Sequence, residues 1–319
     1  MARCFVTREL PGTAVQRLAA EHQVDVWRED RRPTRGELLE RVREAEALLP
    51  QLTERVDSGL FDAAPRLRAV ANYAVGYDNV DLAAATARGI PVGNTPGVLT
   101  EATADLTWAL LMSAARRLPE AEDDARTGVW GWDPNFLLGH DVHGATLGIV
   151  GMGRIGSAVA RRASGFGMEV IHTSRDDSGV PLEELLRRSD FVSLHAPLTP
   201  ETRGMIGEAQ LRLMKETAVL VNTARGPLVD TEALVRALQE GWIAGAALDV
   251  TDPEPLPVEH PLLACRGLAI APHIGSATHA AREGMADLAV DNVLAALRGD
   301  RMPNCVNPEV YEAATRPAP

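Results

Sequence analysis

The chain has 319 residues, enough for two domains with sizeable cores, and its 45% hydrophobic and 24% charged content is that of an ordinary globular protein. A net charge of −12 with no basic stripe argues against nucleic acid as the main partner. No apolar run reaches membrane-spanning length, since the longest, around Trp108–Ala115, is broken by Ser113; no membrane association is expected.

In chain order, MARCFVTREL reads as a first strand (4–7) rather than a secretory leader. A helix over 12–22 and the strand VDVW (24–27) follow, then a helix around 37–43 and the strand EALLP (46–50). RAVANYA (68–74) is a further strand, DLAAATARG (81–89) a short helix and PVGN (91–94) a last strand. A long helix is predicted over 100–118, with Thr100 as N-cap and Arg116 and Arg117 near its C-terminus. After a Trp-, Gly- and Pro-rich loop (128–140) a second series opens at ATLGIVGMGRIG. Its strands fall near 168–172, 190–194, 217–222, 244–249 and 268–271, and a helix over about 278–298 leads to a short tail.

This βαβ alternation predicts an α/β fold of two doubly wound parallel-sheet domains, Rossmann- or flavodoxin-like, with a cleft between them as the expected site. The expected division is 1–99 plus 281–319 for substrate and 100–280 for a dinucleotide. Cys4, Cys265 and Cys305 form no metal or redox spacing and read as reduced thiols of a cytoplasmic protein without a metal site. Lys215 is the only lysine, and no GK[ST] loop exists, which excludes a P-loop NTPase. Schiff-base chemistry would rest on Lys215 alone, and its polar MKET setting reads as surface.

The glycines of GMGRIG follow an apolar strand, Leu147–Val150, and open a helix over 155–163, the context in which GxGxxG has mechanical meaning. Gly151 permits the tight turn, Gly153 lets the backbone approach a pyrophosphate, and Gly156 lets helix pack on strand. The helix N-terminus offers amides and a partial positive charge to the anion. About twenty residues on, an acid would hold the ribose 2′-hydroxyl of NAD. Thr173, Ser174 and Arg175 stand there instead, and a guanidinium with hydroxyls suits the 2′-phosphate of NADP. NADP is therefore the expected cofactor. NAD stays open, because Asp176 and Asp177 could pair with Arg175 or serve NAD themselves.

Downstream strand ends carry Arg225 in VNTARGPLVD, Asp249 and Glu254 in LDVTDPEPLP, and His273 in APHIGSATH. A keto-acid reductase needs a guanidinium to grip the substrate carboxylate, a histidine to give the carbonyl oxygen a proton as hydride arrives, and a carboxylate to orient that histidine and stabilise its protonated form. Each residue also has a structural reading. Arg225 could pair with Asp230, Glu254 could be solvated, and His273 could be a satisfied core histidine. Of the other histidines His195 ends a strand, within approach of the cofactor.

Taken together, GMGRIG, NTARGPLVD, DVTDPEPLP and APHIGSAT resemble the D-isomer-specific 2-hydroxyacid dehydrogenases, and the resemblance covers nearly the whole chain. Within that family ANYAVGYDNVD, GVLTEATADLTWALLMSAARRLPEA, LDVTDPEPLPVEHPLL and PHIGSATHAAR are most similar to the glyoxylate/hydroxypyruvate reductases. The resemblance implies Arg225 as substrate clamp, Glu254 and His273 as acid–base pair, and Val75 and Gly76 as backbone donors to the substrate carboxylate. For the cofactor it implies Thr103, Arg154, Ile155, Ala196, Pro197, Ala224, Asp249 and Gly275, and Arg175 after a hydroxyl residue is similar to NADPH-using members. GVWGWDPN resembles a dimerisation loop, in which Trp130 or Trp132 reaches the partner's site or is simply buried in the interface. The expectation is a homodimeric, NADPH-preferring reductase of glyoxylate and hydroxypyruvate. An NAD-dependent dehydrogenase of another D-2-hydroxy acid, phosphoglycerate- or lactate-type, is the alternative, and a dinucleotide-sensing interaction protein a more distant one.

Overall fold

The computed structural model describes residues 1–173 and 179–313. It divides into two compact units, one formed by Met1–Leu99 with the chain from Ala277 onward, the other by Thr100–Ser276.

The first unit alternates strand and helix. β1 (Arg3–Val6), α1 (Ala14–Glu21), β2 (Gln23–Val26), α2 (Arg35–Val42) and β3 (Ala47–Leu49) lead to α3 (Ser58–Ala63), β4 (Ala69–Ala71), α4 (Leu82–Ala87) and β5 (Val92–Gly93). The strands form one parallel sheet in the order β2-β1-β3-β4-β5. Parallel strands are covered on both faces, so they read as apolar runs rather than as alternating patterns. Phe5, Leu48, Val70 and Val92 pack with Leu38, Leu60 and Phe61 from the helices of one face. Short polar caps set the helix starts. Thr34 and Glu37 form a reciprocal capping box on α2, while the carboxylates of Asp57 and Asp81 accept from the Leu60 and Ala84 amides. The Asp57 cap starts α3, a six-residue helix absent from the sequence reading.

Two sequence-based boundaries change. The strand expected over 68–74 keeps only Ala69–Ala71 in the ladder, and the residues after it build a turn that carries Val75 and Gly76. The helix expected over 100–118 stops at Ala115. Arg117 takes a left-handed conformation (φ 52°) and a new helix starts at Leu118, with Pro119 in its first turn. A proline there lacks the N–H and would clash with the carbonyl of Ala115, so one continuous helix cannot form.

The second unit comprises α5 (Thr100–Ala115), α6 (Leu118–Arg126), β6 (Thr146–Val150), α7 (Arg154–Ala163), β7 (Glu169–Thr173) and α8 (Leu182–Arg188). It continues with β8 (Phe191–Leu194), α9 (Glu208–Leu211), β9 (Val219–Asn222), α10 (Thr231–Gln239), β10 (Gly245–Leu248) and β11 (Leu268–Ile270). The sheet is parallel, in the order β11-β10-β9-β8-β6-β7. Alternate residues of each strand serve separate cores. Leu147, Ile149, Val219 and Val221 join Trp108 and Val159 on one face, while Val150, Val192, Leu194 and Leu220 join Leu185 and Leu186 on the other. Fully burying each such side chain contributes about 1.5–3 kcal/mol. After β6 the chain crosses to β7 on one side and later to β8 on the other, and ligands of such sheets bind where neighbouring strands diverge in this way.

The chain from Ala277 adds α11 (His279–Arg298) and α12 (Glu309–Ala313) to the first unit. Thr278 caps α11 by accepting from the Ala281 amide, and Gly299 closes it at φ 88°. Among the described residues no helix is long and apolar enough to cross a membrane.

Candidate active site

The glycine turn sits at the divergence of β6 and β8. Gly151 has φ +98°, donates its N–H to the Thr173 carbonyl at 3.0 Å, and presses against the exit of β8. A Cβ on it would lie 2.9 Å from the Ala196 nitrogen and the His195 carbonyl carbon. Gly156, in the first turn of α7, is closer still: a Cβ would come within 2.2 Å of the Gly151 oxygen. Gly153, the N-cap, would meet nothing within 4 Å. Two glycines thus allow close packing, and the third keeps open backbone beside the helix terminus that carries Arg154 and Ile155. This combination fits a dinucleotide pyrophosphate. Ser174 and Arg175, with Asp176 and Asp177, lie outside the described residues.

The loop after β9 carries the predicted clamp. Asn222, almost fully buried, accepts from the Ala224 amide at 3.1 Å through Oδ1 and donates to the Arg225 carbonyl at 2.8 Å through Nδ2. It therefore shapes the segment around Arg225, whose Nη1 donates to the Ala224 oxygen at 2.7 Å. At Gly226 a Cβ would lie 1.9 Å from the Thr251 oxygen, so only glycine lets this loop run against the one that carries Glu254. Sequence reasoning missed Asn222, since an asparagine at a strand end reads as an ordinary turn former.

Glu254 and His273, nineteen positions apart, meet with Oε1 2.6 Å from Nδ1. Burial alone would push the Glu254 carboxyl up, but the hydrogen bond and charge of His273, the Thr251 amide and the charge of Arg225 hold it below the usual carboxylate range. An ionised carboxylate only accepts, so Nδ1 carries its proton and Nε2 is left for exchange with a ligand. His273 itself has φ 56°, uncommon for a residue with a side chain. Asp249, 1% exposed at the end of β10, pins that conformation: its carbonyl accepts from the His273 amide, while Oδ1 and Oδ2 accept from the Ile274 and Gly275 amides at 2.7 and 2.8 Å. Burial raises the Asp249 carboxyl despite these bonds and the charge of His273, with Glu254 adding to the rise. The side chain of Asp249 is thus engaged with its own loop. Thr103 of α5 lies close by, its Oγ1 3.5 Å from where a Cβ on Gly275 would be.

His195 follows β8, bonded to the buried Ser193 Oγ at 2.8 Å. Although part of the residue stays accessible, its ring is desolvated and its pKa is pushed down to about 4. It is neutral near pH 7. Ala196 and Pro197 continue that exit, the Pro197 oxygen accepting from Thr202 at 2.7 Å. The second unit therefore brings together Arg225, Glu254, His273 and Asp249 on its loops after β9, β10 and β11, with the glycine turn after β6. Val75 and Gly76 belong to the first unit, where they follow β4. The segment 128–138 leaves apolar surface exposed, with Trp130 71% and Trp132 91% accessible.

Residues 108–275 match the family model described as D-isomer specific 2-hydroxyacid dehydrogenase, NAD binding domain. A glyoxylate reductase of Korarchaeum cryptofilum is 53% identical over 322 residues, covering 97% of both chains. A solved structure from Thermus thermophilus superposes with a TM-score of 0.90 at 54% identity, covering 95% of this chain and 99% of that one. An NADPH-dependent glyoxylate/hydroxypyruvate reductase of Sinorhizobium meliloti, solved with NADP and malonate, is 35% identical with a TM-score of 0.83 and 96% coverage of each chain. The chain belongs to the D-isomer-specific 2-hydroxyacid dehydrogenase family and is an NAD(P)-dependent oxidoreductase.

Proposed function

We propose that the protein is a cytoplasmic, homodimeric reductase that prefers NADPH and converts glyoxylate and hydroxypyruvate to glycolate and D-glycerate. The observation that carries this reading is the 2.6 Å contact of Glu254 with His273, beside Arg225 and in the same unit as the glycine turn. When bound, a reduced nicotinamide supplies hydride to the carbonyl carbon of the keto acid. Arg225 grips the carboxylate and polarises the carbonyl, and the amides of Val75 and Gly76 are further donors to the carboxylate. His273 gives the proton on Nε2 to the carbonyl oxygen, and Glu254 balances the charge of the imidazolium before the transfer. Gly153 and the first amides of α7, at Arg154 and Ile155, would hold the pyrophosphate, with Thr103, Ala196, Pro197, Ala224, Asp249 and Gly275 lining the rest of the cofactor site and Thr173, Ser174 and Arg175 at the 2′-phosphate.

Two observations favour small, unphosphorylated acids and self-association. Arg8, two residues after β1, has its Nη1 turned onto the main-chain oxygens of Glu29 and Arg31, which commits that end of the guanidinium to its own loop rather than to a substrate phosphate. The exposed Val129, Trp130, Trp132 and Leu138 provide an apolar face suited to a second copy.

The test is the steady-state rate of glyoxylate and hydroxypyruvate reduction with NADPH and with NADH, wild type beside Arg175→Ala. A strong NADPH preference that collapses in the variant is expected. Preference for NADH, unmoved by the variant, would transfer the assignment to an NAD-dependent member of the family. Cofactor binding without turnover of any 2-keto acid would revive the sensor reading.

A further inference from the structure

The turn that carries Val75 and Gly76 is unusually well held, and only on one side. Three consecutive carbonyls are occupied: Ala74 O accepts from the Thr95 amide at 2.9 Å, Val75 O from Asn94 Nδ2 at 2.8 Å, and Gly76 O from Asn72 Nδ2 at 2.8 Å. All three donors stand at one sheet edge, because Asn72 directly follows β4 while Asn94 and Thr95 directly follow β5. These peptides are trans, and a trans peptide carries its N–H opposite its C=O. The amides of Val75, Gly76 and Tyr77 therefore face away from the anchoring edge. Among the described residues none of the three donates to a protein acceptor.

The anchors are themselves fixed. Asn72 is fully buried and exchanges reciprocal amide bonds with Asn79, at 3.0 and 3.1 Å. Asn79 in turn donates to the Gln51 and Glu54 carbonyls. Asn94, 8% exposed, has its own carbonyl bound by Asn292 Nδ2 of α11 at 3.0 Å and its amide bound to Asn304 O at 3.1 Å. Gly93 makes room for this, since a Cβ there would lie 2.7 Å from the Asn292 amide group. The carbonyls are bonded on the buried side of the turn, while the amides lie on its accessible side, with Val75 and Gly76 half-buried and Tyr77 exposed. This turn spends two asparagines on its own carbonyls, holds those two with Asn79 and Asn292, and leaves a row of amides for an outside acceptor, which is how a backbone is prepared for an anion.

We propose that Asn72 and Asn94 are positioning residues for the substrate carboxylate, and that the Tyr77 amide is a third donor beside those of Val75 and Gly76. The inference rests on the functional reading above, in which this turn takes the carboxylate of a small 2-keto acid. The asparagines act through the backbone. Their loss should loosen the substrate and its anionic analogues while leaving the dinucleotide alone.

The experiment measures KM and kcat for glyoxylate, Ki for oxamate and Kd for the dinucleotide in wild type, Asn72→Ala and Asn94→Ala. Each variant is expected to raise KM and oxamate Ki together by about ten- to a hundredfold, the loss typical of a weakened charge-assisted contact, with dinucleotide Kd within about twofold. Asn94→Ser, which keeps a shorter donor, should recover part of the KM. Variants that unfold at lower temperature yet keep wild-type KM and Ki would overturn the inference. Should the alanine variants not fold, the wild type decides: oxamate added to the ¹⁵N-labelled dinucleotide complex must shift the Val75, Gly76 and Tyr77 amide resonances, and unmoved resonances overturn the proposal. A wild type that reduces no 2-keto acid would sink the functional reading itself, an outcome distinct from the failure of the two asparagines.

Discussion

The two units share a strand order and use it in opposite ways. Each sheet places its second strand outside its first and continues outward from its third, so each has the same point of divergence, β1 against β3 in the first unit and β6 against β8 in the second. In the second unit that point is built from glycines, with Gly153 open beside a helix terminus. In the first it is closed. Thr7, the residue after β1, is fully buried and donates to Glu54 Oε2 at 2.7 Å, and Glu54, 4% exposed, also accepts from the Gln51 amide and the Thr53 hydroxyl. The first unit offers its free amides at the β4–β5 edge instead. Topology marks where a ligand can enter; the side chains of the first turn decide whether one does.

The largest effect that can test this comparison lies in the second unit's chemistry. His273→Asn should lower kcat by about 10²–10⁴-fold, the usual worth of a positioned general acid, with dinucleotide affinity unchanged. A smaller and more diagnostic change is expected for Glu254→Gln. The wild-type carboxyl is held below its ordinary range, so it stays ionised from mildly acid pH upward and its charge supports the protonated imidazole. Glutamine cannot do this. The variant should keep its rate best at low pH and lose it at lower pH than the wild type does on the alkaline side. Superimposable pH–rate profiles would refute the pairing as a functional one.

Next in size is a crossed pair of variants at the two divergence points. Gly156→Ala forces a Cβ to 2.2 Å from the Gly151 oxygen, so the turn must move, and dinucleotide Kd should weaken by at least about tenfold. Glu54→Ala strips the Gln51 amide of its acceptor, leaves the Thr7 hydroxyl only the longer contact with the Leu49 oxygen, and should cost about 2–4 kcal/mol of stability in urea unfolding, with dinucleotide Kd within about twofold. If Glu54→Ala weakens the dinucleotide as much as Gly156→Ala does, the division of labour between the units is wrong.

The parts of this arrangement that were legible in the sequence are those in which one residue type has one physical use. Glycine at 151, 153 and 156 after an apolar strand has few uses besides a tight phosphate-binding turn, and the close approaches at 151 and 156 follow directly from it. Arg225, Glu254 and His273 were legible as chemistry and by resemblance, but nineteen positions of sequence hold no information on whether Glu254 reaches Nδ1 at 2.6 Å. The asparagines were illegible. Asn72, Asn94 and Asn222 act by bonding main-chain carbonyls of loops folded back on them, and a side chain that also suits any turn carries no signal of that use. Boundaries failed for a related reason: RAVANYA is largely apolar, and what ends the strand is main-chain bonding that no apolar pattern encodes, the Tyr73 amide donating to the Pro50 oxygen and the Ala74 amide turning back to the Asn72 oxygen, each at 2.8 Å.

The last predicted effect concerns the acid stability of the second unit. His195 lines the glycine turn of the second unit, and its burial lowers the folded-state pKa to about 4. The unfolded chain has the ordinary value of about 6.5. Below that, the unfolded state takes up a proton that the folded state refuses. Stability from this group is therefore complete above about pH 6.5 and is lost as pH falls through about 4, to a total of about 3 kcal/mol. The Thr7–Glu54 closure of the first unit contains no histidine. His195→Asn keeps a partner for Ser193 Oγ without a titrating group. Between pH 7 and pH 4 the wild type should lose up to about 3 kcal/mol more than this variant in urea unfolding, and the excess should appear in a dinucleotide-binding readout of the second unit. Parallel pH curves for the two proteins would mean that the imidazole finds solvent in the native state, and the turn around Gly151 would then be looser than its close contacts imply.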